Sequence, residues 1–283
     1  MPQTAQLHKP DIAEENLYSG FIKKEENTLM QNFLAKGIIS VKVEDRNALD
    51  KIRDFLADTA AVWLQLPVQK DKGKFLDNIH NHISVEKLND FRLALLNEMK
   101  KQAWLRPAYF ALAKNTLEII VGNELAMQRN VNLSIQLPND DSSLLPIHSD
   151  VWSGDSPYEI VLWVPYVNCF ATKSMYFCDL KTDEKLQPNL SDFQNKTSED
   201  LYYRVAKDAP FMDVPYGEVL LFTQNIMHGN RVNIENESRW SSNCRFKSVL
   251  SPYSDKKLGE FFEPITLRPA TRFGLRYKLP EGF

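Results

Sequence analysis

His148 and Asp150 stand two residues apart in "LPIHSDVW" (145–152), and His228 follows 80 positions after His148 (228 − 148) in "GEVLLFTQNIMHGN". If the first segment is a strand, its period-two alternation puts the imidazole and the carboxylate on one face, where a rigid element can offer both to one ion. Around His228, the turn "PYG" launches an apolar strand and a second turn at "QN" reverses it. The histidine then opens a new strand with Gly229 behind it. Two imidazoles and one carboxylate on one side of an ion leave three positions open, the arrangement that suits non-haem Fe(II) and oxygen activation. Two of those positions would take a bidentate cosubstrate, and the third molecular oxygen.

A cosubstrate such as 2-oxoglutarate also carries a distal carboxylate that needs a cation. Arg239 lies eleven residues after His228 (239 − 228), in "RWSSNCRF". A guanidinium meets a carboxylate with two parallel hydrogen bonds, which an ammonium does not. Ser241 falls on the same strand face and offers a further hydrogen bond. Asn243 and Arg245 continue that face, with Arg245 as the alternative anchor. In "MQRNVNLSIQL" (127–137), Gln128, Asn130, Asn132, Ser134 and Gln136 share one parity, and Val131, Leu133, Ile135 and Leu137 the other. Two readings are open. The polar face lines an active-site wall, with Gln128 and Asn132 contacting the cosubstrate, or it is an outer face turned to water.

Other residues invite similar weighing. His80 and His82 have HxH spacing, but they sit in a polar stretch before a helix and read as loop histidines. Trp152 could stack on a flat ligand or simply pack. Arg268, Arg272 and Arg276 read as a solvated face. Three cysteines, Cys169, Cys178 and Cys244, are too few and wrongly spaced for a disulfide framework or a zinc knuckle, and read as buried small apolar residues in a reducing compartment.

The elements that must position these groups follow from pattern. The chain has 283 residues, 43% hydrophobic and 25% charged, enough for a substantial core in a single domain. Its net charge of −3 gives no general affinity for nucleic acid. No run reaches the ~18 apolar residues of a membrane span. The N-terminus carries no apolar signal segment, which makes the cytoplasm the expected location. Residues 1–20 read as loosely ordered. Helical spacing predicts helices over 23–36, stopped by Gly37, over 47–66, from Ser84 onward through Leu88, Phe91, Leu95 and Met99, and over 104–123. "GIISVKVED" reads as a strand, and 71–83 as a loop. After residue 125 come six short strand-like runs, "MQRNVNLSIQL", "IHSDVW", "YEIVLWVPYV", "KSMYFCDL", "GEVLLFTQ" and "RWSSNCRFKSVL". The expectation is an α+β fold, with a mainly helical part (1–124) packed on an antiparallel barrel or sandwich (125–283). The polar segment 181–205 interrupts the strands as a lid over the site or as a docked surface helix.

HxD, a distal histidine in "GEVLLFTQNIMHGN", and Arg239-x-Ser241 together resemble the Fe(II)/2-oxoglutarate-dependent dioxygenases of the phytanoyl-CoA dioxygenase-like superfamily. "YEIVLWVPYVNC…KSMYFCDL" is similar to the strand–loop–strand that follows HxD there, and the likeness spans roughly residues 125–250. "LLPIHSDVWSGDSPYE" and "EFFEPITLRPATRFGLRY" are similar to oxygenases found sporadically in bacterial carbohydrate-biosynthesis clusters. The resemblance implies a double-stranded β-helix (jelly roll) with N-terminal helices. It also implies Fe(II) and 2-oxoglutarate as cofactors, and hydroxylation of a small polar molecule such as a sugar or nucleotide sugar. Halogenating relatives replace the carboxylate at the position of Asp150, so its presence favours hydroxylation. One departure is "FATKSMYF", where Lys173 and Ser174 stand near a position that is usually glycine. The residues alone leave other readings open: a zinc hydrolase or cupin-type isomerase with the same three ligands, or a non-catalytic jelly-roll binding module. Arg239-x-Ser241 separates them, since a hydrolase has no use for it.

Overall fold

From Lys24 to Ile120 the chain is built mainly from helices, several with ends written in their flanking residues. The computed structural model describes residues 20–282; residues 1–19, where the expectation of a loosely ordered N-terminus falls and where His8 lies, are outside the described residues. Helix α1 (Lys24–Lys36) stops at Gly37, which takes a left-handed φ of 68° and returns its N–H to the Phe33 carbonyl. Strand β1 (Ile38–Lys42) follows. Helix α2 (Arg46–Trp63) is capped by the Asp45 carboxylate, which accepts the Ala48 N–H at 2.9 Å. It buries Leu49, Ile52, Leu56 and Ala60 along one stripe. Helix α3 (Lys72–Asp77) forms in the stretch that reads as loop, with Asp71 as its cap. Helix α4 (Val85–Lys100) starts after Ser84 and buries Leu88, Phe91, Leu95 and Met99, as its spacing requires.

The single helix expected over 104–123 is two, α5 (Leu105–Ala111) and α6 (Lys114–Ile120). The chain leaves helical geometry at Ala113 (φ −148°, ψ 33°). The cause is distant: the Glu44 carboxylate accepts the N–H groups of Asn115 and Thr116 and the Thr116 hydroxyl, at 2.8–2.9 Å. That satisfies donors a continuous helix would not leave free.

The remaining elements are β2 (Leu125–Gln128), β3 (Asn132–Gln136), β4 (Ile160–Pro165), β5 (Tyr176–Phe177), α7 (Leu180–Leu186), α8 (Ser198–Val205), β6 (Glu218–Thr223), β7 (His228–Gly229), β8 (Arg239–Ser248), β9 (Phe262–Pro264) and α9 (Pro269–Gly274). They form mixed helix and antiparallel sheet. A seven-stranded sheet has the order β1-β6-β4-β8-β2-β9, with β3 also on β8, and β5 pairs β7 in a two-stranded sheet. The long strand β8 organises the large sheet. One edge runs along β4, from Ile160 opposite Phe246 to Pro165 opposite Ser241. The other meets β3 (Asn132 opposite Asn243, Gln136 opposite Arg239) and then β2 (Leu125 opposite Ser248). Residues 127–137 are therefore two strands broken at 129–131. The small sheet packs on the large one where Phe177 meets Phe222, ring centroids 4.8 Å apart. The helices close the other side of the core: the Tyr109 hydroxyl donates to the Leu162 carbonyl at 2.8 Å, and the Trp240 indole N–H donates to the Leu76 carbonyl at 2.9 Å. Among the described residues no helix is long and apolar enough to cross a membrane.

The segment 181–205 holds α7, a 3-10 stretch (Gln187–Phe193) and α8. Leu201 and Val205 are buried against Ile147, Tyr176 and Met227. The segment is docked on the small sheet.

Candidate metal centre

His148 and His228 face each other across an antiparallel bridge. The N–H of His148 donates to the His228 carbonyl at 3.0 Å, and the His228 N–H returns to the His148 carbonyl at 2.9 Å. Directly opposite residues project their side chains to the same side, and the two rings lie 4.5 Å apart. Asp150 differs from expectation. It does not continue a strand but opens a 3-10 turn (Asp150–Ser153) that ends at Gly154 with φ 84°. Its carboxylate still reaches the site, with Oδ1 3.3 Å from His148 Nε2. One ligand atom from each of His148, Asp150 and His228 lies within 4.8 Å of the others, the one group of this kind among the described residues.

Both imidazoles are held in the tautomer a metal requires. His148 Nδ1 is 2.7 Å from the Pro146 carbonyl, and His228 Nδ1 is 2.9 Å from the Ile226 carbonyl. A carbonyl only accepts, so each Nδ1 carries a proton and Nε2 is the ligand atom of the neutral ring; His148, whose Nε2 faces the Asp150 carboxylate, gives up any proton there when it takes a metal. Burial, and then the neighbouring His148, push His228 down to about 4, so it is neutral near pH 7. Burial would raise Asp150, but the hydrogen bond from His148 and the charges of His228 and Arg245 outweigh it and hold the carboxyl far below the usual range. Burial would lower His148; its bonds to Asp150 and Pro146 raise it instead. Phe177 stacks on His228 at 5.4 Å and Phe222 meets its ring edgewise at 5.0 Å, keeping that ligand dry.

Several supporting residues escape sequence reasoning. Arg245 Nη2 lies 3.3 Å from Asp150 Oδ2, and its Nε lies 3.3 Å from Asp155 Oδ1. Lys256 adds a second cation to Asp155 at 2.6 Å. With one oxygen turned to Arg245 and the other to His148, Asp150 offers a single oxygen to the centre. The turn before His228 is gripped from two sides. The Ser149 hydroxyl, between the first two ligands, sits 2.9 Å from the Gln224 carbonyl and 3.0 Å from that of Asn225. From α7, the Asp183 carboxylate accepts the Met227 N–H at 2.7 Å and the Gln187 side-chain amide at 2.7 Å. None of these contacts follows from spacing along the chain.

A cavity of about 310 Å³ is lined by Asn132, Ser134, Asn230, Arg239, Ser241 and Asn243 among others; none of the three triad residues lines it, and Asn230 and Leu145 tie its wall to the segments that carry them. Asn230 lies two residues beyond His228 and donates its backbone N–H to the carbonyl of Leu145, on the segment leading to His148, at 3.0 Å. Arg239 is 3% exposed. It donates to the Ser174 carbonyl at 3.4 Å and the Ser134 hydroxyl at 3.2 Å. Its Nε has no partner, nor does the Ser241 hydroxyl. Among the described residues no carboxylate pairs with it. Burial lowers its pKa to about 10, which leaves it charged near neutrality. A buried charge without a counterion is costly, and such groups are normally paired.

Of the polar face of 127–137, Asn132 and Ser134 line the cavity, where Asn132 donates to the Asn243 side chain at 2.9 Å and Ser134 accepts from Arg239, while Asn130 is exposed. Gln128 does not line the cavity. Its amide reaches Asn132 at 3.4 Å and its carbonyl oxygen accepts the Arg245 N–H at 3.3 Å. Arg245, committed to Asp150 and Asp155, is not the free cation that Arg239 is. His80 lies outside the metal group, 3.0 Å from the Ser238 hydroxyl. Trp152 is 43% exposed, with its indole 3.4 Å from Gln187. Arg268 pairs with Glu118 at 3.6 Å. All three cysteines are buried and unbonded to one another.

No protein-family model matches the sequence, and no curated protein matches it significantly. Solved structures do match in three dimensions. A non-heme monooxygenase, ThoJ, in its nickel complex superposes with a TM-score of 0.54 at 13% identity, over 85% of this chain and 84% of that one. EctD from S. alaskensis, in a structure with 2-oxoglutarate and 5-hydroxyectoine, superposes with a TM-score of 0.50 at 16% identity, over 81% of this chain and 77% of that one. The chain has the fold of these non-heme enzymes and carries a His–Asp–His triad within it.

Proposed function

We propose that the chain is an Fe(II)- and 2-oxoglutarate-dependent oxygenase that hydroxylates a small polar substrate. The observation that carries this reading is Arg239: a buried, charged guanidinium with no carboxylate of its own, in a cavity beside a facial His–Asp–His triad. The donor set fits the metal, because carbonyl bonds at Nδ1 leave Nε2 as the ligand atom of each neutral ring and Asp150 is ionised. The unpartnered Arg239 Nε and Ser241 hydroxyl fit the cosubstrate. A hydrolytic zinc site gives Arg239 no task.

In this reading His148, Asp150 and His228 hold the metal, and Arg239 with Ser241 and Asn132 receives the distal carboxylate. Gln128 braces Asn132. Bound together, iron and 2-oxoglutarate supply oxygen activation coupled to decarboxylation. The protein's part is orientation and exclusion of water: Arg245 fixes the Asp150 carboxylate, and Phe177 and Phe222 shield His228. One buried core runs from Phe33 to Phe246, which supports reading the chain as a single domain. A sugar or nucleotide sugar is the substrate class suggested by the likeness carried in residues 144–159 and 260–277.

Anaerobic addition of Fe(II) and then 2-oxoglutarate tests this, read as a metal-to-ligand charge-transfer band. His148→Ala and His228→Ala are expected to abolish stoichiometric iron binding. Arg239→Ala keeps iron but loses one partner of a buried charge pair, a cost of ~3–5 kcal/mol, so the cosubstrate Kd rises by roughly two to three orders of magnitude. Iron binding with no such band on adding 2-oxoglutarate would sink the proposal.

A further inference from the structure

The cavity holding Arg239 contains a second guanidinium, and one cosubstrate carboxylate does not account for both. Arg92, on α4, lines the same cavity, and none of the lining residues is acidic. It stands four residues after Leu88 and three before Leu95, both buried, which puts it on the flank of the helix's apolar stripe, and it is half-buried. Its one hydrogen bond is to a neutral group, the Asn89 side-chain oxygen at 2.9 Å. Among the described residues no carboxylate pairs with it. Of the two acidic residues of the adjoining loop, Asp140 spends its oxygens on the Ser142 N–H at 2.8 Å and the Ser143 hydroxyl at 3.3 Å, and Asp141 is exposed and makes no ion pair with Arg92.

The two arginines sit at different depths. Arg239 is 3% exposed, whereas Arg92 is only half-buried and the lining loop carries Leu144 and Leu145 at 38% and 47% exposure. The closed end therefore offers one cation and the open end another. A cavity of about 310 Å³ is within the range of small-ligand sites, ~300–1,000 Å³. 2-Oxoglutarate brings one carboxylate to the metal and one to Arg239, and neither neutralises Arg92. A guanidinium in a partly dry wall is matched by a planar or tetrahedral oxyanion, which accepts two parallel N–H bonds.

We propose that the cavity takes two anions at once, the cosubstrate carboxylate on Arg239 and an oxyanionic group of the substrate, phosphate or carboxylate, on Arg92. This rests on the assignment of Arg239 to the cosubstrate. Ser142 and Ser143 line the same cavity on an exposed loop; in this proposal they complete the second subsite, and the substrate enters past them after the cosubstrate is seated.

The test titrates inorganic phosphate, under anaerobic conditions, into protein saturated with Fe(II) and 2-oxoglutarate, by calorimetry. The wild type is expected to bind phosphate. Arg92→Ala should weaken it at least tenfold, and Arg92→Lys should restore part of the loss. The 2-oxoglutarate Kd of Arg92→Ala should stay within twofold of wild type, which also shows that the variant is folded. Three results overturn the proposal: no phosphate binding by the wild type, phosphate binding indifferent to Arg92→Ala, or a 2-oxoglutarate Kd raised in Arg92→Ala as much as in Arg239→Ala. The last would give both arginines to the cosubstrate. If the wild type fails to bind 2-oxoglutarate, the oxygenase reading falls, and the same titration on cosubstrate-free protein still decides the subsite by its dependence on Arg92.

Discussion

Arg239 and Arg245 share a face of one strand, yet their surroundings give them opposite tasks. Arg245 meets Asp150 and Asp155 and is neutralised where it stands, while Arg239 is buried with hydroxyl and carbonyl partners only. Spacing identifies both as candidates and cannot choose, because the deciding groups lie 90 and 105 positions away, Asp155 from Arg245 and Ser134 from Arg239. The triad itself is legible: types and spacing are enough to name His148, Asp150 and His228. A further buried group has a testable charge state. Glu159 is fully buried, accepting the Ser156 N–H at 3.0 Å and the Gln224 amide at 2.7 Å. Burial, with Asp155 adding, pushes its carboxyl up to about 7 against the Ser156 bond and the charges of Lys247 and Arg245. A raised acid favours folding in its protonated form. That contribution is complete below the ordinary value of 4.5 and is lost as the pH climbs through about 7. Glu159→Gln keeps the neutral form at every pH, with the Gln224 amide turned over to match. Its gain over wild type is expected to be small at pH 5 and to reach up to about 3 kcal/mol at pH 8. Urea unfolding at the two pH values measures it, and an equal difference at both would mean that Glu159 does not titrate there.

At the level of elements, the sequence reveals those whose ends are set locally and misses those set from a distance. Helices α1, α2 and α4 and strand β1 carry their own stops, caps and stripes, and they lie where those signals put them. The split between α5 and α6 depends on Glu44, 71 positions before Asn115. The break between β2 and β3 depends on a change of register along β8. Asp150 leaves the strand for a 3-10 turn that no period-two pattern announces. The docking of α7 also reaches the centre. Its Asp183 holds the Met227 N–H, one residue before a metal ligand, and Gln187 bonds both Asp183 and the Asn225 carbonyl. Asp183→Ala strands a buried N–H, which costs ~1–3 kcal/mol of stability. It also frees the turn that aims His228. Groups that orient metal ligands typically change affinity 10–100-fold, and because Asp183 acts through backbone, an iron Kd raised roughly tenfold is expected. Asp183→Asn keeps an acceptor and should restore both properties. Stability lost with iron affinity unchanged would make α7 scaffold alone.

Across the whole molecule, the site is assembled from pieces that the chain does not hold together covalently at short range. His148 and Asp150 lie on the connection between β3 and β4, His228 on the small sheet, and Arg239 and Ser241 on the longest strand of the large sheet. An α+β class with helices on an antiparallel sheet follows from patterning alone. The strand order does not, because it rests on which edges of β8 are shared by β4, β3 and β2. A ligand that touches several of these pieces binds only the folded arrangement, so it must stabilise that arrangement by mass action. At a free concentration of 100 times Kd the gain is about 2.7 kcal/mol, worth roughly 5 °C in Tm at about 2 °C per kcal/mol for a domain of this size. The two ligands should separate by variant. In the proposed reading, metal alone would join the 148–150 connection to β7, and 2-oxoglutarate would add β8. Wild-type protein is therefore expected to show one upward step in Tm with Fe(II) under anaerobic conditions and a second on adding 2-oxoglutarate, both reversed by a chelator. Arg239→Ala should keep the first step and lose the second, while His228→Ala should lose both. A second step that persists in Arg239→Ala would place the cosubstrate somewhere other than the end of β8. A step with 2-oxoglutarate before any metal is added would show that the anion site forms without the centre.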